Sequence, residues 1–164
     1  MAGSSPGPGV KVPDAPRVTT PLKYQLAGTG TQRALSPHAP RPTGPLVLVV
    51  DDDADMVRFI GAVLQSQGVE TVAAFDAIQG FLVAQRQLPA AILVDWHMPA
   101  GGGPQLLRRL RDQARTSAIP VVVITADTSE VIPEQATCLG ARALLAKPVT
   151  PEQLFEAVRA FLGL

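Results

Sequence analysis

From Leu46 onward, short runs of β-branched and aliphatic residues alternate with longer amphipathic stretches, a pattern that restricts the chain to βα units joined into a mainly parallel sheet. Five cycles can be read. Val47–Val50 predicts the first strand, and a helix over about 54–67 follows, with Val57, Ile60, Val63 and Leu64 at helical spacing and Gly68 as its stop. A weaker strand at Val69–Ala73 leads to a helix near Ile78–Gln87. Ile92–Val94, a glycine loop at 101–103 and a helix over 104–115 form the third cycle; Leu106, Leu107 and Leu110 face inward there and four arginines the other way. Val121–Ile124 and a helix at Glu134–Leu139 come next, then Ala143–Leu145 and a last helix. Thr150, Pro151 and Gln153 read as that helix's N-cap, first-turn proline and capping box.

Residues 1–44 do not share this pattern. They hold eight of the sixteen prolines, six glycines and no Phe or Trp, too little apolar surface to offset the entropy of ordering, so the segment is expected to be a disordered extension. Val18–Leu26, with Leu22 and Tyr24, is the one stretch in it suited to binding something. Five Lys/Arg against one acid there offset nine against thirteen in residues 45–164, so the zero net charge hides a split, and the folded part gives no reason to expect nucleic acid. A lone Cys138 beside Leu139 reads as a buried structural thiol in a reducing compartment. With no run of about 20 apolar residues and no signal-peptide core, a cytoplasmic protein without a membrane span is expected.

The chemistry collects where the apolar runs stop. The first ends on Asp51-Asp52-Asp53, the third on Asp95 and the fourth on Thr125, and in an open parallel sheet strand ends of this kind converge on a ligand crevice. Three adjacent carboxylates repel unless something positive joins them. Asp53 and Asp55 suit a helix's first turn. Asp51 and Asp52, with Asp95 on the next strand, suit a hard, partly hydrated cation, and Mg²⁺ fits best. Lys147, restrained by Pro148, can be aimed at the same crevice. A divalent ion, an ammonium and a hydroxyl together can hold a phosphoryl group on Asp95.

The segments LVVDD at 48–52, LVDWHMP at 93–99, VVVITAD at 121–127 and AKPV at 146–149 resemble, in order and spacing, the receiver domain of two-component response regulators. The resemblance spans residues 46–164. It implies a flavodoxin-like (βα)5 three-layer sandwich with a five-stranded parallel sheet in the order 2-1-3-4-5. It implies that Asp95 is the phosphoacceptor, that Asp51, Asp52 and Asp95 hold Mg²⁺ with the backbone carbonyl of His97, and that Thr125 and Lys147 bind the phosphoryl group. Donors would be a sensor histidine kinase or a histidine phosphotransfer protein, and the output a phosphorylation-dependent protein contact or a relay step. A single-domain regulator over 45–164, with no DNA-binding or other output domain and no membrane partner, is the expectation.

Two positions depart from the family. Leu144 stands where receivers commonly have the switch aromatic, and Val149 where a phenylalanine often follows lysine-proline. The side chains of His97 and Asp127 take places that overhang the phosphoryl group, so a contact between them is expected to tune its lifetime, with two independent exposed polar side chains as the alternative. Trp96 can pack over the loop or meet a partner. The enzymatic rival is a haloacid-dehalogenase-type phosphatase, because Asp53-Ala54-Asp55-Met56-Val57 fits D-x-D-x-[TV]; against it, no later acidic pair completes a metal site. A pseudo-receiver that only binds protein is the other rival. A calcium loop on Asp51, Asp53 and Asp55 fails, since Met56 stands where glycine is required and Ala62 where glutamate is.

Overall fold

The computed structural model describes residues 44–127, 129 and 131–164. The extension expected over 1–44, including Val18–Leu26, lies outside the described residues apart from Gly44. Five strands and five helices alternate: β1 (Leu46–Val50), α1 (Ala54–Ser66), β2 (Glu70–Ala74), α2 (Ala77–Gln87), β3 (Ala91–Asp95), α3 (Gly102–Arg111), β4 (Val121–Thr125), α4 (Val131–Cys138), β5 (Ala143–Ala146) and α5 (Pro151–Leu162). All strand pairs are parallel, in the order β2-β1-β3-β4-β5. The strand order reverses between β2-β1 and β3, which opens the crevice expected at the carboxyl ends of β1 and β3.

Because side chains alternate along a strand, each strand feeds two cores. Leu48, Val50, Ile92, Val94, Val121 and Val123 pack on one face with Leu106, Leu107 and Leu110 of α3 and Ala84 of α2. Val47, Val49, Leu93, Val122 and Ile124 pack on the other with Ile60 and Leu64 of α1 and Leu154 and Val158 of α5. Burying a side chain of this size stabilises the fold by roughly 1.5–3 kcal/mol. Two dry faces explain why β1, β3 and β4 are nearly continuous apolar runs rather than alternating ones.

Several boundaries differ from expectation for identifiable reasons. α3 starts two residues earlier, behind the left-handed Gly101, and stops at Arg111, where Thr116 Oγ1 donates to Leu110 O and begins a turn. Arg111 is also not simply a solvent-facing arginine. Its guanidinium is half-buried and donates to the carbonyls of Ser117, Ile119 and Gly140. α4 begins before Pro133, which sits in its first turn. Its buried stripe is Ile132 and Ala136, so Cys138 falls off that stripe and is exposed, contrary to the buried thiol expected. The capping box of Thr150 and Gln153 is present. Among the described residues no helix is long and apolar enough to cross a membrane.

Candidate functional site

At the carboxyl ends of β1 and β3 the carboxylates come together. Asp51 and Asp95 are 2% and 5% exposed, against the fully open position usual for aspartate. Asp52 is exposed, and one oxygen from each of the three lies within 4.8 Å of the others. Lys147 reaches in from the end of β5, after which Pro148 follows through a cis peptide bond. Its Nζ is 2.8 Å from Asp95 Oδ1 and 3.3 Å from Asp51 Oδ2. Asp51 Oδ1 accepts from the backbone N–H of Asp53 at 2.9 Å, so both its oxygens are engaged.

Strand parity explains this meeting. Asp51 and Asp95 continue the rows of Val47/Val49 and Ala91/Leu93, which face α1 and α5. Lys147 continues the row of Ala143 and Leu145 on that face. Thr125 continues the row of Val121 and Val123, and so starts from the opposite face. Its hydroxyl is buried and accepts from the backbone N–H of Asp127 at 3.0 Å, not from a group of the acidic cluster. Sequence placed Thr125 at the right strand end; the structure holds its hydroxyl toward the loop after β4.

Burial raises the carboxyl of Asp51 above its ordinary range, and the neighbouring charge of Asp95 adds to this, while the Asp53 N–H and Lys147 pull the other way. For Lys147, burial alone would lower the ammonium, but the hydrogen bond it donates to Asp95 and the two carboxylate charges outweigh it and leave it raised. An uncompensated charge at this depth is costly, so the Lys147 ammonium offsets part of the repulsion between the two buried carboxylates. Oxygen donors packed this closely, two buried and one exposed to water, fit a small hard cation: Mg²⁺ takes one or two carboxylates and keeps several waters.

Two loops roof the cluster. After β3, Trp96 and Met98 turn into the core shared with α3 and His97 turns out, with Trp96 only 5% exposed, so its indole is not offered to a partner. A Cβ at Gly102 would lie 2.6 Å from Trp96 O, which is why the chain needs glycine there to fold back on itself. After β4, Asp127 accepts from the N–H of Ser129, and this bond chiefly lowers its carboxyl. His97 Nε2 lies 3.5 Å from Asp127 Oδ2, so the two loops touch at the pair expected from sequence.

Other acidic residues singled out from sequence do not join the cluster. Asp53 caps α1 by accepting from the N–H groups of Asp55 and Met56, and Asp55 pairs with Arg58 on the exposed surface. The residues of the D-x-D-x-[TV] signature are thereby spent on a helix start, which removes the basis of the phosphatase reading. Leu144 is half-buried on β5 against α4, and Val149 is buried with α5. Sequence reading missed the exposed apolar ridge on α2, although the lack of any acid in α2 and α3 was a visible signal.

A model of the response regulator receiver domain family matches residues 47–159. PilH of Pseudomonas aeruginosa is 34% identical over 117 residues, 71% of this chain and 97% of that protein. The phosphate regulon transcriptional regulatory protein PhoB of the same organism is 33% identical over 119 residues, 73% of this chain, and the chain spans about half of its length (52%). Among solved structures, the receiver domain of a sensor histidine kinase from Pseudomonas aeruginosa, with a magnesium ion coordinated in its active-site cleft, matches at 29% identity and a TM-score of 0.68, covering 74% of this chain and 99% of that one. The chemotaxis protein CheY4 of Vibrio cholerae matches at 28% identity and a TM-score of 0.69, covering 73% of this chain and 99% of that one.

Proposed function

The chain belongs to the response regulator receiver domain family, and from that premise we propose that residues 45–164 form a Mg²⁺-dependent phosphoryl switch whose acceptor is Asp95. The observation that carries this is the buried Asp51–Lys147–Asp95 arrangement, with Lys147 Nζ 2.8 Å from Asp95 Oδ1 and Asp52 alongside. A lone carboxylate is a poor nucleophile toward a phosphoryl anion because like charges repel, and this site answers that difficulty with cations.

An Asp95 oxygen attacks the phosphorus of a phosphohistidine on a kinase or phosphotransfer partner. The new O–P bond forms as the N–P bond breaks, and the imidazole nitrogen keeps the electron pair and takes up a proton. Bound Mg²⁺, held by Asp51, Asp52, Asp95 and the His97 carbonyl, would neutralise charge on the phosphoryl oxygens. Lys147 keeps its contact with the site and turns toward a phosphoryl oxygen as the charge on Asp95 is replaced. Thr125 exchanges its bond to the Asp127 N–H for one to a second phosphoryl oxygen, which loosens the loop leading to α4. Hydrolysis reverses the covalent change: water attacks phosphorus, the Asp95 oxygen leaves as carboxylate, and inorganic phosphate departs. The His97–Asp127 contact stands over this water's approach and so sets the lifetime of the acyl phosphate.

The output is a phosphorylation-dependent contact with another protein or onward transfer in a relay, in the cytoplasm. Incubation with labelled acetyl phosphate and Mg²⁺ tests the reading: label should enter wild type and be absent from Asp95→Asn or from samples with chelator. Equal incorporation in Asp95→Asn would overturn it. Trp96, next to Asp95 in sequence and buried, gives an independent readout, since its emission should change as Mg²⁺ is titrated.

A further inference from the structure

The two helical layers treat their exposed charges differently. On α1 and α5 every arginine follows an acid by three residues and pairs with it: Arg58 with Asp55, and Arg159 with Glu156 at 2.9 Å. Apart from the caps Asp76 and Asp112, α2 and α3 contain no acid; α2 carries Arg86, and α3 carries Arg108, Arg109 and Arg111. Arg111 is spent on backbone carbonyls. Arg86, Arg108 and Arg109 are exposed and make no ion pair among the described residues.

An apolar ridge runs beside Arg86 and Arg109, whereas Arg108 lines a groove with Gln135 and Cys138 of α4. Phe75, Ile78 and Leu82 are 45%, 52% and 44% exposed. Ile78 and Leu82 are one helical turn apart, and Arg86 is the next turn along the same line. Phe75 and Ile78 also line a cavity of about 210 Å³ with Ala77, Pro99, Ala100, Gln105 and Asp76, whose carboxylate is occupied in capping α2, and Arg109 stands one turn beyond Gln105 on α3. Single exposed aliphatics are ordinary, but a contiguous ridge rimmed by charge marks an interaction site. Ala100, on the cavity wall, is held in the left-handed region at φ 59°, a conformation unfavourable for a residue with a Cβ. Strain of this kind concentrates at functional surfaces.

We propose that the α2–α3 face docks an acidic amphipathic helix of another protein, which seats its apolar side chains on Phe75, Ile78 and Leu82 and sets carboxylates against Arg86 and Arg109. Charge decides the occupant. Arg86 and Arg109, without ion-pair partners beside an apolar ridge, complement a helix carrying Glu or Asp next to Leu or Phe, a helix-in-groove contact with electrostatic steering. Pro99 and Ala100 belong to the loop that begins at Asp95, so the cavity wall is continuous with the acceptor strand. The coupling of docking to phosphorylation rests on the function proposed above; the docking surface itself does not.

The test uses the full chain and a fluorescent synthetic peptide of about 18 residues, long enough for five turns, with leucines at helical spacing flanked by glutamates. Anisotropy should report binding of this peptide and none of a version with lysine for every glutamate. Arg86→Glu/Arg109→Glu should weaken the glutamate peptide about tenfold or more and allow the lysine peptide to bind. Ile78→Ser/Leu82→Ser should weaken both. Equal affinity of the glutamate peptide for wild type and Arg86→Glu/Arg109→Glu, absence of binding, or sedimentation placing the ridge between two copies of the chain would overturn the proposal. Acetyl phosphate labelling of the same samples separates the two readings. Labelling intact with peptide binding lost removes only the docking surface, and labelling lost in wild type with peptide binding intact removes only the phosphoryl switch.

Discussion

The carboxyl rim of the sheet and the face between α4 and β5 lie a strand apart and are built to different standards. At the rim, the buried Asp51 and Asp95 are both bonded to the half-buried Lys147, and the three come from the ends of three strands. At the face, Leu144 is half-buried beside a cavity of about 90 Å³ lined in part by Pro133, Ala136 and Thr137, and α4 is only eight residues long. The difference teaches which requirements are rigid. Charges at contact distance must be placed to within a fraction of an ångström, because an unpaired buried carboxylate is costly. A packed face needs only volume and apolarity, so leucine at 144 can fill it without an aromatic ring.

Breaking the rim gives the largest expected effect. Lys147→Ala leaves two buried carboxylates facing each other and should slow phosphoryl incorporation from acetyl phosphate about a hundredfold, the scale seen when one preorganised electrostatic group is removed. His97→Met opens the contact with Asp127 and should alter the acyl-phosphate decay rate about fivefold, equivalent to roughly 1 kcal/mol; pulse-labelled protein followed after removal of donor measures it, and an unchanged rate rejects a role for the pair. Leu144→Phe probes the face instead. It should change labelling by less than about twofold, since packing rather than chemistry is altered, and a large loss would show that face and rim are coupled after all.

A smaller effect separates stability from function at the rim. The raised carboxyl of Asp51 binds its proton more tightly in the folded chain than in the unfolded one, so ionising it opposes folding. Thermal stability without Mg²⁺ should therefore gain from this group as pH falls through its raised value toward the ordinary value of 3.8. Asp51→Asn should raise the melting temperature by roughly a few degrees at neutral pH while losing Mg²⁺ response, the usual trade at a functional site. Lys147 works in the opposite range: its raised ammonium contributes stability that is complete below 10.5 and is lost as pH rises through the higher folded value. Calorimetry across both windows checks both signs.

Much of this was legible in the residues. The apolar runs Val47–Val50, Ile92–Val94 and Val121–Ile124 and the capping box at Thr150 are local signals, and they fell where expected. Cys138 was misjudged because its exposure depends on which stripe of α4 meets the sheet, and a short helix with two buried residues leaves that stripe ambiguous in sequence. Arg111 was misjudged because its three carbonyl partners come from segments up to 29 residues away.

By itself the sequence determined the succession of strands and helices and the residue types at each strand end, since both follow from patterns a few residues long. Only the tertiary structure decided that Lys147 meets Asp51 across 96 positions, that Thr125 is turned toward Asp127, and that Arg111 reaches the carbonyl of Gly140. Those outcomes depend on strand parity and on which faces the helices cover, properties fixed by long-range packing rather than by any short stretch of chain.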